Sequence, residues 1–98
     1  MTQQETSIKA VLEERGNRYG TFKHQSALAQ ALERAFLTHI NTYGQGEISL
    51  VASQREALHM IFHKLARIAN GDPNYADSWI DIAGYAMLIA DELSGVNR

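Results

Sequence analysis

The stretch from Arg55 to Leu93 constrains the fold more than any other part of the chain. Apolar residues recur in it at three- and four-residue steps, the pattern breaks at Asn70-Gly71-Asp72-Pro73, and it then resumes. Leu58, Ile61, Phe62, Leu65 and Ile68 share one side of a helix, the spacing of a buried stripe. Ile80, Ala83, Ala86, Met87, Ile89, Ala90 and Leu93 cover well over half the circumference of the next helix. A helix this apolar is central to a bundle or buried between subunits. Between the two, Gly71 is expected in a left-handed helix stop. Asp72 or Asn74 would cap the following helix, with Pro73 tolerated in its first turn. The segment is therefore expected to form an antiparallel helical hairpin.

The remaining chain supplies partners for that hairpin. Ser7 is expected to cap a short helix running to about Arg15, with Ile8, Val11 and Leu12 on one side and Gly16-Asn17 as its end. Arg15 to Phe22 reads as a structured loop in which Gly16 and Gly20 take backbone angles closed to other residues and Tyr19 and Phe22 act as anchors. A second helix is expected from about Lys23 to Thr42, with Leu28, Leu32, Ala35, Phe36 and Ile40 as its apolar stripe. Ser53 and Glu56 match a capping box at the start of the third helix. One proline in 98 residues and 45% hydrophobic content fit a folded, mainly helical chain. The expected architecture is all-α: a bundle of about four helices in a single domain over residues 1–98, ending in the hairpin. The apolar excess on the last helix predicts a homo-oligomer.

Several functional classes are disfavoured. A net charge of −2 offers no general attraction to DNA. The absence of cysteine rules out disulfides, thiolate zinc sites and a thiol nucleophile. The first residues lack the basic start and apolar run of a secretion signal. The longest apolar run, Ile82 to Ala90, falls far short of the roughly 20 residues that span a bilayer. These features predict a soluble, cytoplasmic protein. No Walker pattern, HExxH motif or nucleophile elbow is present.

Chemistry is most plausible on the hairpin. Asp77 and Asp81 lie one turn apart, about 40° from each other on a helical wheel, with Gly84 leaving a gap beside them. Two or three carboxylates can hold magnesium when waters and phosphates supply its other ligands, so Asp77, Asp81 and Glu56 are candidate metal ligands. The alternative is a solvated face, or carboxylates paired with Lys64 or Arg67. His59 and His63, at i and i+4, have the spacing that lets two imidazoles share a transition metal, though a plain polar helix surface has the same pattern. Arg15, Arg18 and Lys23 flank the glycine-containing loop, where basic side chains can hold phosphate. Lys64, Arg67 and Arg18 are the candidate phosphate-binding residues. Tyr75, Trp79 and Tyr85 could stack a base or serve as core.

Glu14-Arg-Gly-Asn-Arg-Tyr-Gly-Thr-Phe22, His63-Lys-Leu-Ala-Arg-Ile68 and Asp77-Ser-Trp-Ile-Asp-Ile-Ala-Gly-Tyr-Ala86 together resemble a group of small phage and prophage proteins of unknown function. The likeness spans nearly the whole chain. More distantly, the chain is similar to the MazG-like all-α nucleoside triphosphate pyrophosphohydrolases. That resemblance implies an oligomer that binds magnesium through carboxylates on two packed helices. Their later metal motif, ExxD, corresponds in place to Asp77-Ser-Trp-Ile-Asp81, which is one residue longer. Their earlier EExxE motif is represented here only by Glu56, with His59, His63 and Lys64 in the neighbouring positions. The expected function is nucleotide handling, either as a divergent magnesium-dependent pyrophosphohydrolase or as a relative that binds nucleotide without cleaving it. The alternative is a non-enzymatic helical interaction factor, such as a phage inhibitor of a host protein.

Overall fold

The computed structural model describes residues 2–98. It contains four α-helices: α1 (Gln3–Tyr19), α2 (Phe22–Tyr43), α3 (Ala52–Asn70) and α4 (Ala76–Leu93). A 3-10 turn at Glu47–Ser49 lies in the crossover between α2 and α3. No strand occurs among the described residues.

The first helix is longer than its sequence suggests. It starts before Ser7 because Thr2 and Glu5 form a capping box: the Glu5 N–H donates to Thr2 Oγ1 at 3.1 Å and the Thr2 N–H to Glu5 Oε2 at 3.4 Å. It also runs through Gly16 and Asn17. A glycine inside a helix costs only about 1 kcal/mol relative to alanine, and continued helical hydrogen bonding outweighs that. The true stop is Gly20, whose φ of 75° is open to glycine and strained for other residues. The expected loop from Arg15 to Phe22 thus shrinks to Gly20 and Thr21.

The start of α3 also differs. Its N-cap is Val51, and Gln54 Oε1 reaches back to accept from the Val51 N–H at 3.0 Å. Ser53 does not cap this helix; its hydroxyl donates to Glu92 on α4. In the crossover, Asn41 and Glu47 bond reciprocally, and Glu47 also pairs with Arg55 at 3.0 Å. The α3–α4 turn is held by the Asp72 carboxylate, which accepts from the Asn74 N–H, and by Trp79 Nε1, which donates to the Pro73 carbonyl at 2.9 Å. Tyr75 is the N-cap of α4 and makes no side-chain cap bond. Gly71 is not left-handed: its φ is −133°.

α3 is the central helix, with α2 packed along it on one side and α4 on another. Phe36 of α2 meets Phe62 of α3 edge-to-face at 5.4 Å. Ala57 and Ala66 are buried on α3, where small side chains let the neighbouring helices come close. Among the described helices, α1 packs on α2 and α3 and not on α4. No large side chain among the described residues is fully buried. The radius of gyration is 16.3 Å, against about 13 Å for a compact chain of this length. None of the described helices is long and apolar enough to cross a membrane.

Candidate functional site

The polar edge of α3 meets α4 through one ion pair. Lys64 is buried, and its Nζ lies 3.0 Å from Asp81 Oδ2. Asp81 therefore neutralises a buried ammonium. Asp77, one turn earlier, accepts from the Tyr75 hydroxyl at 2.8 Å. That hydrogen bond is the largest cause pushing the Tyr75 phenol above its usual 10.0, with the nearby Arg18 charge acting in the opposite direction. Glu56 lies elsewhere, in a cavity of about 280 Å³ lined also by Tyr85 and Glu92. It precedes Lys64 on α3 by roughly 12 Å of helix rise. Asp77, Asp81 and Glu56 do not converge, and no three His, Asp or Glu side chains among the described residues are placed to share an ion. The donor set does not fit a common magnesium ion in this chain alone.

The two histidines turn toward α2, and each has its own partner. His59 Nδ1 lies 3.0 Å from Glu33 Oε2, and His63 Nε2 lies 3.2 Å from Gln25 Nε2. Burial, followed by the Arg67, Lys64 and His59 charges, holds the His63 imidazole below its usual 6.5.

Three cations were candidates for phosphate, and the fold uses them differently. Lys64 is committed to Asp81. Arg18 pairs with Glu14 at 2.9 Å and lies over the Tyr75 ring at 4.2 Å. Arg67 lies over the Tyr19 ring at 4.3 Å, and its Nε is buried with no hydrogen-bond partner. Tyr19 and Tyr75 meet edge-on at 6.1 Å, so Arg67, Tyr19, Tyr75 and Arg18 form a continuous stack across the α1–α3 junction.

That junction is built by residues far apart in sequence. Asn70 Nδ2 donates to the Tyr19 carbonyl at 2.8 Å and to the Thr21 carbonyl at 3.1 Å. The Asp72 N–H donates to the Arg18 carbonyl. Gly71 must be glycine because the backbone of Arg18 and Tyr19 occupies the place of its missing Cβ. Beside the junction opens a cleft of about 500 Å³ between α1, the start of α2 and α3. Leu12, Arg15, Tyr19, Thr21, Phe22, Gln25 and Arg67 line it. Arg15 joins no ion pair among the described residues, and Phe22 is 74% exposed. The cleft thus offers arginine donors next to aromatic faces, a combination suited to a phosphorylated or carboxylated planar ligand. Gln25 and Asn70 carried no sequence signal as site residues. The clustering of Arg15, Arg18 and Tyr19 before Gly20 was the signal for this region.

No curated protein and no solved structure matches the chain. A family described as a domain of unknown function matches residues 4–93, a span that includes every residue lining the cleft. The chain belongs to that family, DUF6378.

Proposed function

We propose that this protein handles nucleotides in the cytoplasm, binding the phosphate end in the cleft between α1, α2 and α3. The observation that carries this reading is Arg67. Its buried Nε donor is unmet, and leaving such a donor unmade costs about 1–3 kcal/mol. Arg67 lines the cleft, and stacking on Tyr19 holds its guanidinium plane in place to present its remaining N–H groups to an anion there. Arg15 lines the same cleft and would add a second charge. Phe22 at its rim offers a ring face to a base. Lys64 and Arg18 support the site indirectly, through the Asp81 pair and the tyrosine stack.

This reading needs neither a magnesium ion nor hydrolysis. It corresponds to the nucleotide-binding form of the MazG-like resemblance rather than to the pyrophosphohydrolase. Isothermal calorimetry with a panel of nucleoside mono- and triphosphates, with and without magnesium, tests it, alongside an assay for pyrophosphate release. Saturable heat that is lost in Arg67→Ala is the expected result. Absence of heat for every nucleotide under both conditions would overturn the proposal.

The second reading, a helical interaction factor, is favoured by α1. Its Ile8, Val11 and Leu12 stripe is 59%, 46% and 60% exposed, respectively.

A further inference from the structure

α4 carries two apolar faces, and the fold covers only one of them. Ser78, Ile82, Tyr85 and Ile89 are the less exposed set and lie on one side, toward α3. Trp79, Ile80, Ala83, Met87 and Ala90 fall within about 100° on the opposite side. All five are exposed, Trp79 to 54%, Ile80 to 62% and Met87 to 60%.

We infer that this second face docks on the same face of a second copy of the chain, with the two α4 helices antiparallel across a two-fold axis at Ala83. Three observations select that occupant. The first is area. The chain exposes 7108 Å², whereas a folded monomer of 10.9 kDa is expected to expose roughly 5,600 Å². The excess of about 1,500 Å² is surface that a monomer of this size would ordinarily cover, and the α4 stripe supplies part of it. The second is charge. α4 bears Asp77, Asp81, Asp91 and Glu92 and no basic residue, but none of these acids lies within the stripe. Asp91, nearest its edge, is neutralised by Arg98 at 2.6 Å. Self-docking therefore brings no like charges together at the centre, as an isologous contact requires. The third is shape. Ala83 is the midpoint between Ala76 and Ala90, so the axis places small residues at the centre and ends of the contact and allows close helix approach. The same axis sets Trp79 of one copy against Met87 of the other, a favourable sulfur–aromatic pairing. The Trp79 ring is already fixed by its bond to the Pro73 carbonyl, so docking loses little side-chain freedom.

The chain contains no cysteine, which makes the test clean. Sedimentation of the wild type at micromolar concentrations should give twice 10.9 kDa, and Met87→Glu should give the monomer mass with its helical circular dichroism retained. Ala83→Cys, a mild change, should form a disulfide-linked dimer under gentle oxidation, while Ala31→Cys on the exposed side of α2 should not. A monomeric wild type would overturn the inference. So would an oligomer that persists in Met87→Glu, or one in which Ala83→Cys cross-links no better than Ala31→Cys. The last two outcomes would place the contact between copies elsewhere on the chain, for example on α1.

Discussion

Replacing Gly71 with alanine should release α1 from the rest of the protein. The added methyl would fall on the backbone of Arg18 and Tyr19, not on a side chain able to swing aside. The φ of −133° is not left-handed, and the penalty follows from space: the Arg18 and Tyr19 backbone leaves no room for a side chain. Relieving it means opening the junction. That removes the Asp72 N–H bond to the Arg18 carbonyl and both Asn70 bonds, to Tyr19 and Thr21. At roughly 1 kcal/mol each these amount to about 3 kcal/mol. Loss of the Arg67–Tyr19 stack adds about 0.5–1 kcal/mol. α1 has few other attachments, so the effect is local opening and not global unfolding. A total of about 3.5–4 kcal/mol raises the opening constant several hundredfold. Hydrogen exchange read by mass spectrometry should therefore show the amides near Tyr19 exchanging about that much faster, with the centre of α3 unchanged. Asn70→Ala, which adds no bulk, should give the same pattern at smaller size. Wild-type protection in α1 of Gly71→Ala would refute the close-approach argument.

Asp81→Asn should lower the unfolding free energy by about 1–3 kcal/mol, because it leaves the buried Lys64 ammonium without its carboxylate. The lower half of that range is expected, since the Asp81 side chain is 47% exposed. Asp77→Asn should cost less than about 1 kcal/mol, and chemical denaturation of the two single variants separates these outcomes. His63 has a folded-state pKa below its unfolded 6.5, so the unfolded chain binds more protons in that interval. Its contribution to stability is complete above pH 6.5 and is lost as pH falls toward the folded value; melting curves of His63→Gln should lose this component. Leu65→Ala should cost about 1–2 kcal/mol, short of the 2–5 kcal/mol of a buried leucine, because Leu65 is 37% exposed. A loss above that range in the isolated monomer would show Leu65 to be true core.

The order of the helices follows from local rules. Periods of three and four residues, one proline and the glycines at helix ends suffice to define α2, α3, α4 and the turn between the last two. The surplus of apolar residues on α4 is equally visible, since a helical wheel needs no partner to be drawn. The neighbours of each face were not visible. Asp81 was legible as half of a carboxylate pair, but only the rotation of α4 against α3 decides that it meets Lys64 instead of an ion shared with Glu56. Glycine at position 71 was legible as a stop, yet its cause is the backbone of Arg18 and Tyr19, which lies some fifty residues earlier. Arg67 likewise reads as a surface cation until Tyr19 covers it and buries its Nε. Helical periodicity reports which residues share a face and is blind to how far one helix is turned about its axis relative to the next. That rotation is set by packing between distant segments, and on it rest the cleft, the ion pair and the uncovered side of α4.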